Sequence, residues 1–220
     1  MACHTLRNSS FRSISAFSNL AGSSSNSSVR ISRRTASLHS GCSRRAVRIS
    51  SEDRLQVVQF QRQGFVFSRL APYCGWQSFA EEALRLWQTY GELAQPTVIQ
   101  RIGLRFINRI DCPREGFALK DYLVGSPESP ASLPLQREMF LHEDTFRVSG
   151  SDYSVHLIRT VRLPQPNADR LSLILGIDVF AAAEELNGDE ALRKRLPEMR
   201  WLKNKIFFSM ITLKAKDLFQ

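Results

Sequence analysis

A chain of 220 residues, 43% of them hydrophobic, has room for one ordinary domain plus an appendage and enough apolar side chains to bury a core. Its formal net charge of +9 is unevenly spread: residues 1–50 hold eight arginines, fifteen serines and no Lys, Asp or Glu, which leaves 22 basic against 21 acidic residues for 51–220. A near-neutral domain excludes the broad basic surface that neutralises phosphates, so nucleic acid is not an expected partner.

Cys3, Cys42, Cys74 and Cys112 lie far apart, with no Cys-x-x-Cys and no His at ligand spacing, so neither a disulfide framework nor a metal site is indicated. No window approaches 18 consecutive apolar residues and no apolar signal core opens the chain, so no membrane partner is expected and the location reads as cytoplasmic.

The acid-free leader, residues 1–50, has two readings. Arg12, Ile14, Phe17 and Leu20 allow the amphipathic turn of a transit peptide. Alternatively, sixteen arginines without a lysine up to residue 119 point to GC-rich coding DNA, and such DNA translated out of frame also yields Arg and Ser without acids. Both readings predict a disordered, dispensable leader, because too little apolar surface offsets the chain entropy.

The domain is expected over 51–220. Leu55–Phe60 and Gly64–Leu70 read as strands, with Gln63-Gly64 either a tight turn or a bulge in one long strand. Trp76, Phe79, Ala80, Ala83, Trp87 and Tyr90 follow at helical spacing, and Gly91 and Pro96 are expected to end that helix. Val98 to Ile110 alternates, with Val98, Ile102, Leu104, Phe106 and Ile110 on one face and Arg101, Gly103, Arg105 and Arg109 on the other. A short helix is expected over Phe117–Val124, then a hairpin of Arg137–Val148 and Tyr153–Leu163. Leu171 to Val179 is nearly all apolar, as in a central strand, with Asp178 its one charge. The last helical stretch is expected to break or kink at Pro197; Met199, Leu202, Ile206, Met210 and Leu213 form its apolar stripe, while Lys203, Lys205, Lys214 and Lys216 ride the remainder. Strands joined mainly by hairpin-length loops, with helices at the middle and end, make an α+β fold: a largely antiparallel sheet with helices packed on one face.

No phosphate loop, nucleophile elbow or His-Glu-x-x-His occurs, so no cofactor is implied. A nucleophilic pair of Cys112 with His142 or His156 has no supporting spacing. The most pointed feature is the row Arg101, Arg105 and Arg109, with Asn108 on the opposite parity. Four residues of strand span about 13 Å, so the three can meet a long anion or several carboxylates but cannot jointly clamp one small phosphate. The bland alternative pairs Arg105 with Asp178 or with a helix carboxylate and leaves the other arginines to solvent, since a carboxylate inside an apolar strand needs a partner.

The run from Gly64 through Arg69 to Tyr73, followed by Trp76 and Phe79, the strand Arg101 to Ile110, the segment Gly176 to Phe180, and Leu202 to Thr212 together resemble a sporadically distributed, uncharacterised bacterial protein family. The resemblance implies no activity, cofactor or substrate. Members usually begin with a Pro-rich approach to an apolar strand and a helix, and residues 1–50 show nothing of the kind. The resemblance therefore implies a C-terminal portion behind an unrelated leader, with Leu55–Phe60 left as an exposed sheet edge open to self-association.

Two functions follow as expectations, ahead of a third, weakest one in which the Ser/Arg-rich tail touches nucleic acid non-specifically, and the sequence does not decide whether the protein is an enzyme. One is a non-enzymatic binding domain that uses the arginine-bearing face for a protein partner or an acidic ligand. The other is an enzyme of unfamiliar class with a site around Arg69, Arg105, Asn108 and Asp178.

Overall fold

The computed structural model describes residues 26–33, 47–61, 64–73, 75–96, 99–127, 132–134, 139–162, 169–182 and 189–219. Among the described residues eight strands make one sheet: β1 Asn26–Arg33, β2 Val47–Ser50, β3 Gln56–Gln61, β4 Gly64–Leu70, β5 Ile99–Pro113, β6 Leu141–Arg147, β7 Tyr153–Arg162 and β8 Arg170–Ala182. The described residues also form the α-helices α1 Trp76–Ala94, α2 Asp189–Met210 and α3 Leu213–Asp217. The strand order is β2-β3-β4-β1-β5-β8-β7-β6, and every neighbouring pair is antiparallel. This is the expected α+β architecture. No described helix is long and apolar enough to cross a membrane.

Both long helices pack on one face. Phe79 of α1 lies 6.4 Å from Phe106 between ring centroids, and Lys203 of α2 sits over the same Phe106 ring. That face carries the buried residues of alternate strand positions, among them Phe65, Phe67, Ile102, Leu104, Leu173, Leu175, Ile177 and Val179. Alternation in β3–β5 and β8 thus decides which side of the sheet becomes core.

The leader does not stay outside the sheet. β1 joins the block β2-β3-β4 to the block β5-β8-β7-β6, pairing with β4 from Asn26↔Leu70 to Ser32↔Gly64 and with β5 from Ser27↔Phe106 onwards. β2 pairs with β3. Asn26–Arg33 and Val47–Ser50 are thus strands of the sheet where the sequence predicts a disordered leader; the rest of residues 1–50 lies outside the described residues. A strand within a sheet needs first a register of backbone N–H and C=O partners, which Ser/Arg composition does not report. The expected edge at Leu55–Phe60 is corrected, because β3 lies between β2 and β4; among the described strands β2 and β6 are the edges.

Smaller corrections follow the same logic. Gln61↔Gly64 pairing makes β3 and β4 a hairpin, resolving turn against bulge. Gly91 lies inside α1, which runs on to Ala94 and ends where Gln95 adopts φ 40° and donates its N–H to the Gly91 carbonyl. Phe117–Val124 contains only a 3-10 turn at Leu119–Asp121, and Leu123 instead bridges to Ile211. Pro197 does not divide α2, whose two halves are both anchored by buried side chains, Leu192 and Leu196 before it and Met199, Lys203 and Phe207 after it. The apolar stripe is rotated from the expected one: Leu213 is 76% exposed, and Lys203 occupies a core position.

Candidate functional site

The unbroken β5·β8·β7 register places the sequence-derived candidates by parity. Arg105 is opposite Asp178 and Asp178 opposite His156, which puts Arg101, Arg105, Arg109, Asp178 and His156 on the face away from the helices, the far face. Asn108 is opposite Leu175 and faces the core side, where its Nδ2 donates to the Leu175 carbonyl at 3.0 Å. Arg69 shares the parity of Phe65 and Phe67 and is on the helix face as well. Arg69 and Asn108 are thus separated by the sheet from Arg105 and Asp178. The four do not form one pocket, because period-two alternation sends them to opposite sides.

On the far face the charges compensate one another only in part. Asp178 pairs with Arg101, whose Nη2 lies 3.3 Å from Oδ2, and not with the Arg105 directly opposite it; the expected Arg105–Asp178 pair is corrected. Gly103 lies between the two arginines on the same face. A Cβ there would lie 3.3 Å from Arg101 Nη1 and 3.4 Å from Asp178 Oδ1, so the missing side chain makes room for Arg101 to fold back along the strand. The Arg101 guanidinium also stacks 4.3 Å from the Phe180 ring centroid. Arg109 is held by Asp111, with Nε 2.6 Å from Oδ1, and that carboxylate also accepts from Ser172 Oγ. His156 Nε2 lies 3.7 Å from Glu143 Oε2.

Arg105 stands apart. It is half-buried, and among the described residues no hydrogen bond or ion pair holds its guanidinium. Burial pulls its pKa below the usual arginine value, Asp178 and Glu143 oppose that shift, and Arg101 adds to it. A guanidinium stays charged in a protein and brings five N–H donors, so a half-buried one without an acceptor is a place for an anionic group to bind.

The helix face holds a second group. Tyr73, Trp76, Phe79 and Phe106 form a chain of ring contacts, with Lys203 Nζ 4.1 Å from the Phe106 centroid and the Arg200 guanidinium 5.2 Å from that of Trp76. Arg69 contributes a buried Nε with no hydrogen-bond partner among the described residues. Lys203 escaped the sequence reading, which placed it on the outer side of α2. Its spacing did carry the signal, since Leu192, Leu196, Met199, Lys203 and Phe207 recur at three- and four-residue intervals and are the buried positions of α2.

The thiol–imidazole pair does not form. Cys112 is fully buried, its Sγ lies 3.7 Å from the Ile110 carbonyl, and its pKa is pushed up to about 12 by burial and then by Asp111. His142 Nδ1 accepts from Arg159 at 2.6 Å, beside the ion pair of Arg159 with Asp144. Among the described residues no cluster of His, Cys, Asp and Glu could hold a metal ion.

No family model, no curated protein and no solved structure matches the chain.

Proposed function

We propose that this protein is a non-enzymatic binding domain whose far sheet face receives an acidic segment of a partner protein, with Arg105 as the anchor. The observation that carries the reading is the half-buried Arg105 guanidinium, which has no acceptor among the described residues although Arg101 and Arg109 on either side have theirs. The row is thus one available cation between two compensated ones, which suits a single carboxylate in an extended segment better than a polyanion. The cytoplasmic location, membership of the uncharacterised bacterial family, and self-association through a sheet edge belong to the same reading; for the last, the edge in question is β2 or β6.

The test is fluorescence anisotropy with a glutamate-rich decapeptide, using a lysine-rich decapeptide as the control. Binding of the acidic peptide should weaken by about tenfold or more in Arg105→Ala, the loss of one charge-assisted contact. Acidic and basic peptides that bind equally, or an Arg105→Ala variant that binds as the parent does, would refute the proposal.

A further inference from the structure

The two edges of the described sheet are unequal. β2 has four residues, whereas β6 has seven, Leu141–Arg147, with neither Lys nor Pro among them. The hydrogen-bonding parity of β6 follows from its hairpin with β7. Val148 donates its N–H to the Tyr153 carbonyl and the Phe140 carbonyl accepts from the Val161 N–H, so the even-numbered residues between them aim their backbone groups at β7. The N–H and C=O groups of Leu141, Glu143, Thr145 and Arg147 therefore point outward, where no described strand meets them. Glu143, Thr145 and Arg147 are exposed on the far face, and Phe146, 50% exposed, is on the helix face opposite Val155.

We propose that β6 pairs antiparallel with β6 of a second copy about a twofold axis at Thr145, joining the two sheets into one. Outward-pointing residues can exchange hydrogen bonds only with outward-pointing residues, so the axis must fall on a residue and not between two. Charge then selects the residue. An axis at Glu143 or at Asp144 sets like carboxylates directly opposite each other, and one at Phe146 sets Glu143 and Arg147 opposite uncharged side chains. With the axis at Thr145, Glu143 of each copy lies opposite Arg147 of the other, which makes two ion pairs in one register. Arg147 is available for this, since it takes part in no ion pair among the described residues, and Glu143 has His156 Nε2 at 3.7 Å. The same register brings the two Phe146 rings to diagonal positions on the helix face, within reach of each other across the axis. About six backbone hydrogen bonds form along the joined edges, two for each hydrogen-bonded pair. This dimer is the self-association of the proposed function assigned to β6, and it rests on that part of the reading and not on Arg105.

Sedimentation velocity of the full chain over a range of concentrations is the experiment, and the parent should pass from monomer to dimer as concentration rises. Arg147→Glu, which sets a second carboxylate opposite Glu143 at both positions, should weaken the dimer by about tenfold or more, and Glu143→Arg should do the same. The double variant with both changes should restore it, because the opposite charges then meet again with their places exchanged. Thr145→Pro should abolish the dimer while the melting temperature shows a folded chain, since the N–H it removes points away from β7. Arg105→Ala should dimerise as the parent does, so that loss of acidic-peptide binding and loss of this pairing are read separately. A parent that stays monomeric, or a dimer that Thr145→Pro leaves intact, would overturn the proposal. A dimer indifferent to Arg147→Glu, or a double variant as weak as the single ones, would overturn the register at Thr145. A monomer whose edge instead takes up the acidic decapeptide, with that uptake lost in Thr145→Pro, would give β6 to a partner strand and overturn the proposal as well.

Discussion

Arg101 and Asp178 meet across Gly103, with Nη2 3.3 Å from Oδ2, although the backbone register sets Arg105 and not Arg101 opposite Asp178. The open side-chain position at Gly103 accommodates this ion pair along the strand, and Arg105 is without an acceptor among the described residues.

Asp178→Ala should destabilise the protein by about 1–2 kcal/mol, between the values of exposed and buried pairs, because the two side chains are 31% and 19% exposed. Denaturant unfolding of the single and double variants should give a larger coupling energy for Arg101 with Asp178 than for Arg105 with Asp178. Gly103→Ala should reduce that coupling, since its methyl group meets both partners. An Asp178→Ala variant that unfolds with the parent would remove the structural role of this pair.

Lys203→Met should stabilise the protein below pH 8 and lose that advantage in alkali. A lysine whose pKa is about 8 when folded and 10.5 when unfolded binds more protons in the unfolded chain between those values, so the stability of the parent rises with pH through that window. At one unit per 1.36 kcal/mol the difference amounts to about 3 kcal/mol, an upper figure for the shift in relative stability between neutral pH and pH 10.5. Urea unfolding of parent and variant at several pH values measures it. A constant difference across the window would mean that Lys203 is not desolvated.

Cys112 should resist alkylation in the native protein. Its thiol is buried and pushed up to about 12, so near pH 8 almost none is thiolate and none is accessible. Iodoacetamide should modify the Cys112 peptide more than about 100-fold faster in denaturant than in buffer, a ratio set by access and thiolate fraction. Equal rates would contradict the buried position of this strand end.

Removal of residues 1–50 should abolish cooperative folding. The deletion takes out β1, which pairs with both β4 and β5 and joins the two halves of the sheet. Val29→Pro should act in the same direction, because proline cannot donate to the ladder in the middle of a sheet. Circular dichroism and sedimentation of the 51–220 fragment check this: a monodisperse fragment with the parent's melting temperature would place β1 outside the folding unit.

Alternation and spacing in the amino-acid sequence by themselves determined the α+β class, the β6–β7 hairpin, the long helix from Trp76, and the division of β5 into an apolar face and an arginine face. These follow from local rules: a period of two separates Ile102, Leu104 and Phe106 from Arg101, Arg105 and Arg109 whatever the strand pairs with. Tertiary structure alone decided what each polar residue meets. Strand order placed the Ser/Arg-rich segment Asn26–Arg33 between β4 and β5, because a backbone ladder accepts almost any non-proline sequence. Side-chain geometry gave Asp178 to Arg101, which lies four residues from the Arg105 that pairing alone would choose. The rotation of α2 on the sheet buried Lys203 beside Phe106, since the packing angle of a helix, unlike its period, depends on the surface it meets.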